Sequence, residues 1–174
     1  DQVLHDVCIQ RLPVVLAIDR AGLVGEDGET HQGVFDISFL RHMPHMTIMS
    51  PKDVNELRKM MELSLSIDGP VAIRYPKDSA LIPSYVQETS LEYGKWEMIA
   101  SQGVGMIIAT GRMVDIAIKT TDLLRRDGIA FGVVNARFLK PIDEEMLLRI
   151  SKEYGLLITL EDNVLIGGLG SAVT

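Results

Sequence analysis

Six short, mainly apolar runs, at residues 14–18, 46–49, 71–75, 104–109, 130–135 and 156–160, alternate along this chain with segments whose apolar residues recur every three or four positions. A run that is apolar without interruption suits a strand covered on both faces, as in a parallel sheet. The intervening helix-period segments are the crossovers such a sheet requires. The fold class is therefore α/β, and 47% hydrophobic residues suffice for a core.

The first half reads as a helix carried by Val3, Leu4, Val7 and Cys8, a buried strand at 14–18, a long irregular loop at 19–33, a short helix at 35–40 and a strand at 46–49. Ser50-Pro51-Lys52-Asp53 reads as a helix start, with Ser50 as N-cap, Pro51 at the first helical position and Asp53 as capping partner. Val54, Leu57, Met61 and Leu65 give that helix its expected buried face. Gly69-Pro70 leads to the strand at 71–75. Periodicity fails over 76–93, so the chain is expected to divide into 1–80, a linker at 81–94, and 95–174. The second half repeats the alternation: an edge strand at 96–100, a strand at 104–109, a helix at 113–126 stopped by Gly128, and a strand at 130–135. A helix at 143–152 stopped by Gly155, a strand at 156–160 and the turn Gly167-Gly168-Leu169-Gly170-Ser171 follow. Both ends fall inside helical pattern, which reads as an excerpt of something longer.

Several classes are disfavoured. The longest apolar runs, 12–18 and 104–109, are far shorter than the roughly 18 residues of a membrane span. A net charge of −7 does not suit a phosphate backbone, so neither a membrane nor a nucleic acid is an expected partner. Cys8 is the single cysteine, which leaves no intrachain disulfide and no zinc half-site. This acidic composition, with no secretory signal pattern, fits a bacterial cytoplasm.

In open parallel sheets ligands bind beyond the carboxyl ends of the strands. Arg20, Asp27 and His31 follow the first strand, and Arg74 ends the third. Two arginines there can form a fork for phosphate or carboxylate, or pair with the many acidic residues. Asp27 and His31, four apart in a glycine-flanked loop, can act as a carboxylate–imidazole pair toward a substrate hydroxyl or oxyanion; alternatively Asp27 serves only the turn. His42 and His45 are interrupted by Pro44 and have no third ligand in view, so no metal site is expected. Glu161 and Asp162 follow the last strand and suit a cap or a bridge. The Gly-rich turn lacks a phosphate-loop lysine and does not fit a dinucleotide fingerprint. The nine methionines are expected to fill gaps in the core and interfaces.

The loop Gly25-Glu26-Asp27-Gly28-Glu29-Thr30-His31-Gln32, with Asp19-Arg20-Ala21-Gly22 before it and Gly33-Val34-Phe35-Asp36 after it, resembles the signature of transketolase-type thiamine diphosphate enzymes. Gly69-Pro70-Val71-Ala72-Ile73-Arg74-Tyr75-Pro76, Arg137-Phe138-Leu139-Lys140-Pro141-Ile142-Asp143 and Glu161-Asp162-Asn163 extend the resemblance collinearly over the chain. It points to the branch that joins pyruvate to D-glyceraldehyde 3-phosphate with loss of carbon dioxide. The implied architecture is part of a pyrimidine-binding parallel-sheet domain followed by a transketolase C-terminal-type α/β domain. The implied roles are Arg20 and Arg74 on the acceptor's phosphate, and Asp27 and His31 at its hydroxyl and carbonyl end. Thiamine diphosphate and Mg2+ serve the whole enzyme, a homodimer in this family. The carboxylate and aromatic clamp for the cofactor are expected upstream of Asp1, and no Gly-Asp-Gly with a distant Asn occurs. The chain alone is thus expected to bind no cofactor and to be inactive. A non-catalytic assembly module, or a piece of another transketolase-type enzyme, are the alternatives.

Overall fold

The computed structural model describes residues 1–77 and 90–174. Most of the expected linker, residues 81–89, lies outside them. Two four-stranded sheets organise the described residues. The first contains β1 (Val15–Ile18), β2 (Thr47–Met49) and β3 (Val71–Arg74), all parallel, in the order β1-β3-β2. The helices α1 (Asp36–Arg41) and α2 (Val54–Ser64) lie between these strands in the chain. The second sheet has the order β4-β6-β5-β8, from β4 (Glu97–Ala100), β5 (Gly105–Ala109), β6 (Phe131–Asn135) and β8 (Leu157–Leu160). Only β4 runs antiparallel there. Helices α3 (Met113–Arg126) and α4 (Glu144–Glu153) supply crossovers, and α5 (Leu169–Val173) follows the Gly-rich turn. Gly128 follows α3 at φ +77°, the left-handed conformation that stops a helix.

One strand was not expected. Two residues after β6 leaves the second sheet, β7 (Phe138–Lys140) pairs antiparallel with β2 and completes the first. Lys140 then donates to the Arg41 carbonyl at the end of α1, at 2.8 Å. The core is accordingly continuous: Ile48, Met49 and Ile73 of the first sheet share one cluster with Met106, Ile108, Val134 and Phe138. Trp96 closes the junction, donating its indole N–H to the Phe138 carbonyl at 2.7 Å. A smaller cluster of Ile107, Val114, Ala117 and Val133 lies where α3 meets β5 and β6.

Three local expectations are corrected. The N-cap of α2 is Asp53, not Ser50: Asp53 accepts from Glu56 N at 2.8 Å, and Glu56 reaches back to Lys52 N at 2.7 Å. Ser50 is buried, its N–H donating to the Arg137 carbonyl. The buried face of α2 is Glu56, Met60 and Ser64, while Val54, Met61 and Leu65 are exposed and Leu57 is half-buried. A carboxylate drawn inward by charged partners set the face, which apolar periodicity cannot register. Finally, β1 is an edge strand with Ala17 exposed, so its apolar run is not covered on both sides. The first helix winds as a wide π-type turn, Val3–Cys8, with only Cys8 fully buried.

Candidate functional site

Beyond the carboxyl end of β1 the chain enters the loop at Arg20, which takes φ 58°. The loop is closed at its neck: Gly22 and Gly33 exchange backbone hydrogen bonds of 3.0 and 2.9 Å, and Ala21 N–H donates to the Tyr75 carbonyl past β3. Inside the loop, Gln32 accepts from Val24 N at 2.6 Å and donates to the carbonyls of Val24 and Gly28. One side-chain amide thus replaces the ladder that an irregular segment lacks. The loop's charged residues are thereby held as a formed surface on the sheet edge.

Arg20 and Asp27 meet there, Nε to Oδ2 at 2.7 Å, and Asp19 takes the Arg20 Nη1. Asp27 also binds Lys77 Nζ at 2.8 Å, a partner that sequence reasoning missed. The Lys77 hydrogen bond first, and that of Arg20 second, hold the Asp27 carboxyl below its ordinary range. Asp27 and His31 are not paired. His31 sits in a single turn of 3-10 helix, Glu29–His31, exposed, with Nδ1 2.9 Å from Thr30 Oγ1.

Arg74 is placed differently from Arg20. Its side chain is 1% exposed and points beneath the loop rather than to an open cleft. Nη1 donates to Asp162 Oδ1 at 2.9 Å, Nη2 donates to the Gly33 carbonyl at 3.1 Å, and Nε lies 3.6 Å from Asp36 Oδ2. Burial pushes the Asp36 carboxyl up, and the Arg74 charge opposes that shift. The two expected fork arginines therefore lie on opposite sides of the loop: Arg20 on its exposed rim, Arg74 at its buried base.

The motif Glu161-Asp162-Asn163 stitches the two halves. Glu161 accepts from Leu169 N and Gly170 N at 2.8 and 2.9 Å and so caps α5. Asp162 holds Arg74. Asn163 accepts from Ile37 N and donates to Ser38 Oγ on α1. Arg41 donates to the carbonyls of Gly167 and Gly168, which gives the Gly-rich turn a structural partner.

A second buried polar cluster bridges the halves under β6. Lys52 Nζ lies 2.8 Å from Glu97 and 3.3 Å from Glu56, and Asn135 Nδ2 donates to both carboxylates. Arg137 approaches Glu56 at 3.6 Å and donates to the carbonyls of Lys95 and Ser90. Burial works against the Lys52 charge, but Glu56, Glu97 and Asp53 outweigh it and hold its pKa above the ordinary value.

His45 accepts from Arg11 Nε at 3.2 Å. Among the described residues no group of three or more His, Cys, Asp or Glu is arranged to hold a metal ion. No helix among them is long and apolar enough to cross a membrane.

This architecture has known counterparts. Residues 1–81 match the family description "Transketolase, pyrimidine binding domain" and residues 94–174 match "Transketolase, C-terminal domain". The chain belongs to the transketolase family. Among curated relatives it is similar to 1-deoxy-D-xylulose-5-phosphate synthase from Clostridium tetani, 57% identical over 99% of this chain, and from Caldanaerobacter subterraneus subsp. tengcongensis, 55% identical over 99%. It spans 28% of the length of each. Of solved structures, a split-gene transketolase in an inactive β4 tetramer superposes with TM-score 0.90 at 31% identity, covering 99% of this chain and 55% of that one. A transketolase variant from Pichia stipitis, 21% identical, shares the fold with TM-score 0.77 over 92% of this chain and 25% of its own.

Proposed function

We propose that this chain is part of a 1-deoxy-D-xylulose-5-phosphate synthase and builds the acceptor side of its site. The reaction joins pyruvate to D-glyceraldehyde 3-phosphate with loss of carbon dioxide. The observation that carries this reading is the loop of residues 19–33, whose Asp27 is ion-paired to Arg20 and to Lys77 at the rim, in a chain 57% identical to such a synthase. Thiamine diphosphate, bound with Mg2+ by parts of the protein outside this chain, supplies the electron sink for decarboxylation.

This chain's residues bind and orient the acceptor. Arg20, about one-third exposed, offers its outer N–H groups to the phosphate. Asp27 and His31 lie along the same loop and face the acceptor's hydroxyl and carbonyl end. Arg74 adds charge from beneath and contacts phosphate directly only by exchanging Asp162 or the Gly33 carbonyl for it. The whole protein is a homodimer of the bacterial cytoplasm, and the chain alone is inactive. The split-gene transketolase that this chain resembles, inactive as a β4 tetramer, supports that last point.

The test uses the full-length protein. Arg20→Ala should raise the KM for glyceraldehyde 3-phosphate about tenfold, roughly 1.4 kcal/mol, with the KM for pyruvate unchanged. An unchanged acceptor KM would refute the assignment. Pyruvate-dependent product from residues 1–174 alone, supplied with thiamine diphosphate and Mg2+, would refute the claim that essential parts lie elsewhere.

A further inference from the structure

We infer that Asp162, which belongs to the second half of the chain, is a positioning residue for the acceptor-binding loop of the first; the inference rests on the reading just given. Asp162 acts at both ends of the loop's neck. Its carboxylate lies flush on Gly22, where a Cβ would meet Oδ2 at 2.1 Å, and Gly22 holds φ +77°. Its other oxygen takes Arg74 Nη1 at 2.9 Å, and Arg74 Nη2 in turn holds the Gly33 carbonyl at 3.1 Å. Gly22 and Gly33 are the residues whose backbones pair to close the loop. One side chain therefore presses on one side of the neck directly and fastens the other through a guanidinium.

The pair is dry: Arg74 is 1% exposed and the Asp162 side chain 9%. Removing one member of such a pair leaves a buried charge in search of a partner, which deforms whatever else that charge holds. For Arg74, that is Gly33 and hence the segment bearing Asp27 and His31. A shift of about 1 Å in a substrate-positioning group can cost up to about a hundredfold. The effect should fall on the acceptor, because the other groups fastened to Arg74, Asp36 and the Gly33 carbonyl, belong to this loop and its exit.

The experiment compares Asp162→Ala, Asp162→Asn and Arg20→Ala in the full-length protein with thiamine diphosphate and Mg2+. Asp162→Ala should raise the KM for glyceraldehyde 3-phosphate about tenfold or more, with the KM for pyruvate within about twofold. Asp162→Asn should fall between, since its amide oxygen still accepts from Nη1, and it decides the matter if Asp162→Ala does not fold. Amide exchange at Gly22 and Gly33 should quicken in both Asp162 variants while β2 and β5 stay protected. Equal losses for both substrates would mark a merely structural residue and overturn the inference. So would an acceptor KM in the Asp162 variants that is unaltered, or lowered because the freed Arg74 takes the phosphate, beside a raised one in Arg20→Ala. An unaltered KM in all three overturns the site assignment, and this inference with it.

Discussion

Glu56 offers a sharp test of how the two halves are joined. Its side chain is 4% exposed and accepts from Asn135 Nδ2 at 3.0 and 3.2 Å, from Lys52 N at 2.7 Å and from Lys52 Nζ at 3.3 Å, with Arg137 Nη1 3.6 Å away. Glu56→Ala removes the anion between two buried cations. Breaking a buried pair this way costs about 3–5 kcal/mol. Lys52 retains Glu97 at 2.8 Å and Arg137 retains two carbonyls, which places the expected loss near the lower end, about 3 kcal/mol. Glu56→Gln keeps an acceptor and loses the charge, so it should cost about 1–2 kcal/mol. The assay is urea unfolding followed by fluorescence of Trp96, the single tryptophan, 4% exposed, adjacent to Glu97 and bonded to β7. With a slope of about 2 kcal/mol per molar, Glu56→Ala should lower the midpoint by about 1.5 M. A loss below about 0.5 kcal/mol, the range of an ordinary surface substitution, would refute the view that this cluster fastens the halves.

Three further outcomes are expected. Gly22→Ala combines a left-handed backbone with a clash on Asp162 and should lower stability by about 1–3 kcal/mol; a melting temperature equal to wild type would contradict the packing described. Asp143 caps α4 through Met146 N and also accepts from Trp96 N, so Asp143→Ala should cost about 1–2 kcal/mol and alter the near-ultraviolet circular dichroism of Trp96. The folded pKa of Asp27 lies below its ordinary 3.8, so its ion pairs add stability that is fully present above that value and lost as pH falls through the depressed folded pKa. Carboxyl titration by NMR should place it below 3.8, with Lys77→Ala moving it up; a value at or above 3.8 in the unaltered chain would contradict the pairing.

The alternation of strands and helices was legible because each element announces itself locally. Residues 104–109 and 130–134 carry no charged or amide side chain and lie in or within a residue of β5 and β6. β7 was not legible: three residues, one of them Lys140, carry no period, and the strand exists only because β2 offers an open edge. The face of α2 failed for a related reason, since Asn135 and Arg137, two of the groups that hold Glu56 inward, lie far away in the second half of the sequence. At the site, Arg20 and Asp27 were recognisable as chemistry-bearing residues, and their contact is local. Lys77, Asp36 and Asp162 carry charges that any surface could explain; the fold alone assigns them to Asp27 and Arg74. Gln32 sits in a recognisable motif, yet its role as the loop's internal scaffold depends on a backbone path that no local pattern encodes.

The strand lent by the second half to the first sheet decides how the molecule would respond to scission. A protease that cut between residues 77 and 90 would leave the halves associated, because β7, the Arg74–Asp162 pair and the Lys52–Glu97 pair all bridge the cut without covalent help. Residues 1–77 made on their own would instead show β2 with an unsatisfied row of backbone donors and acceptors, the template on which strands from other chains accumulate. Supplying residues 90–174 in trans should dissolve that tendency, with the second half serving the first as its chaperone.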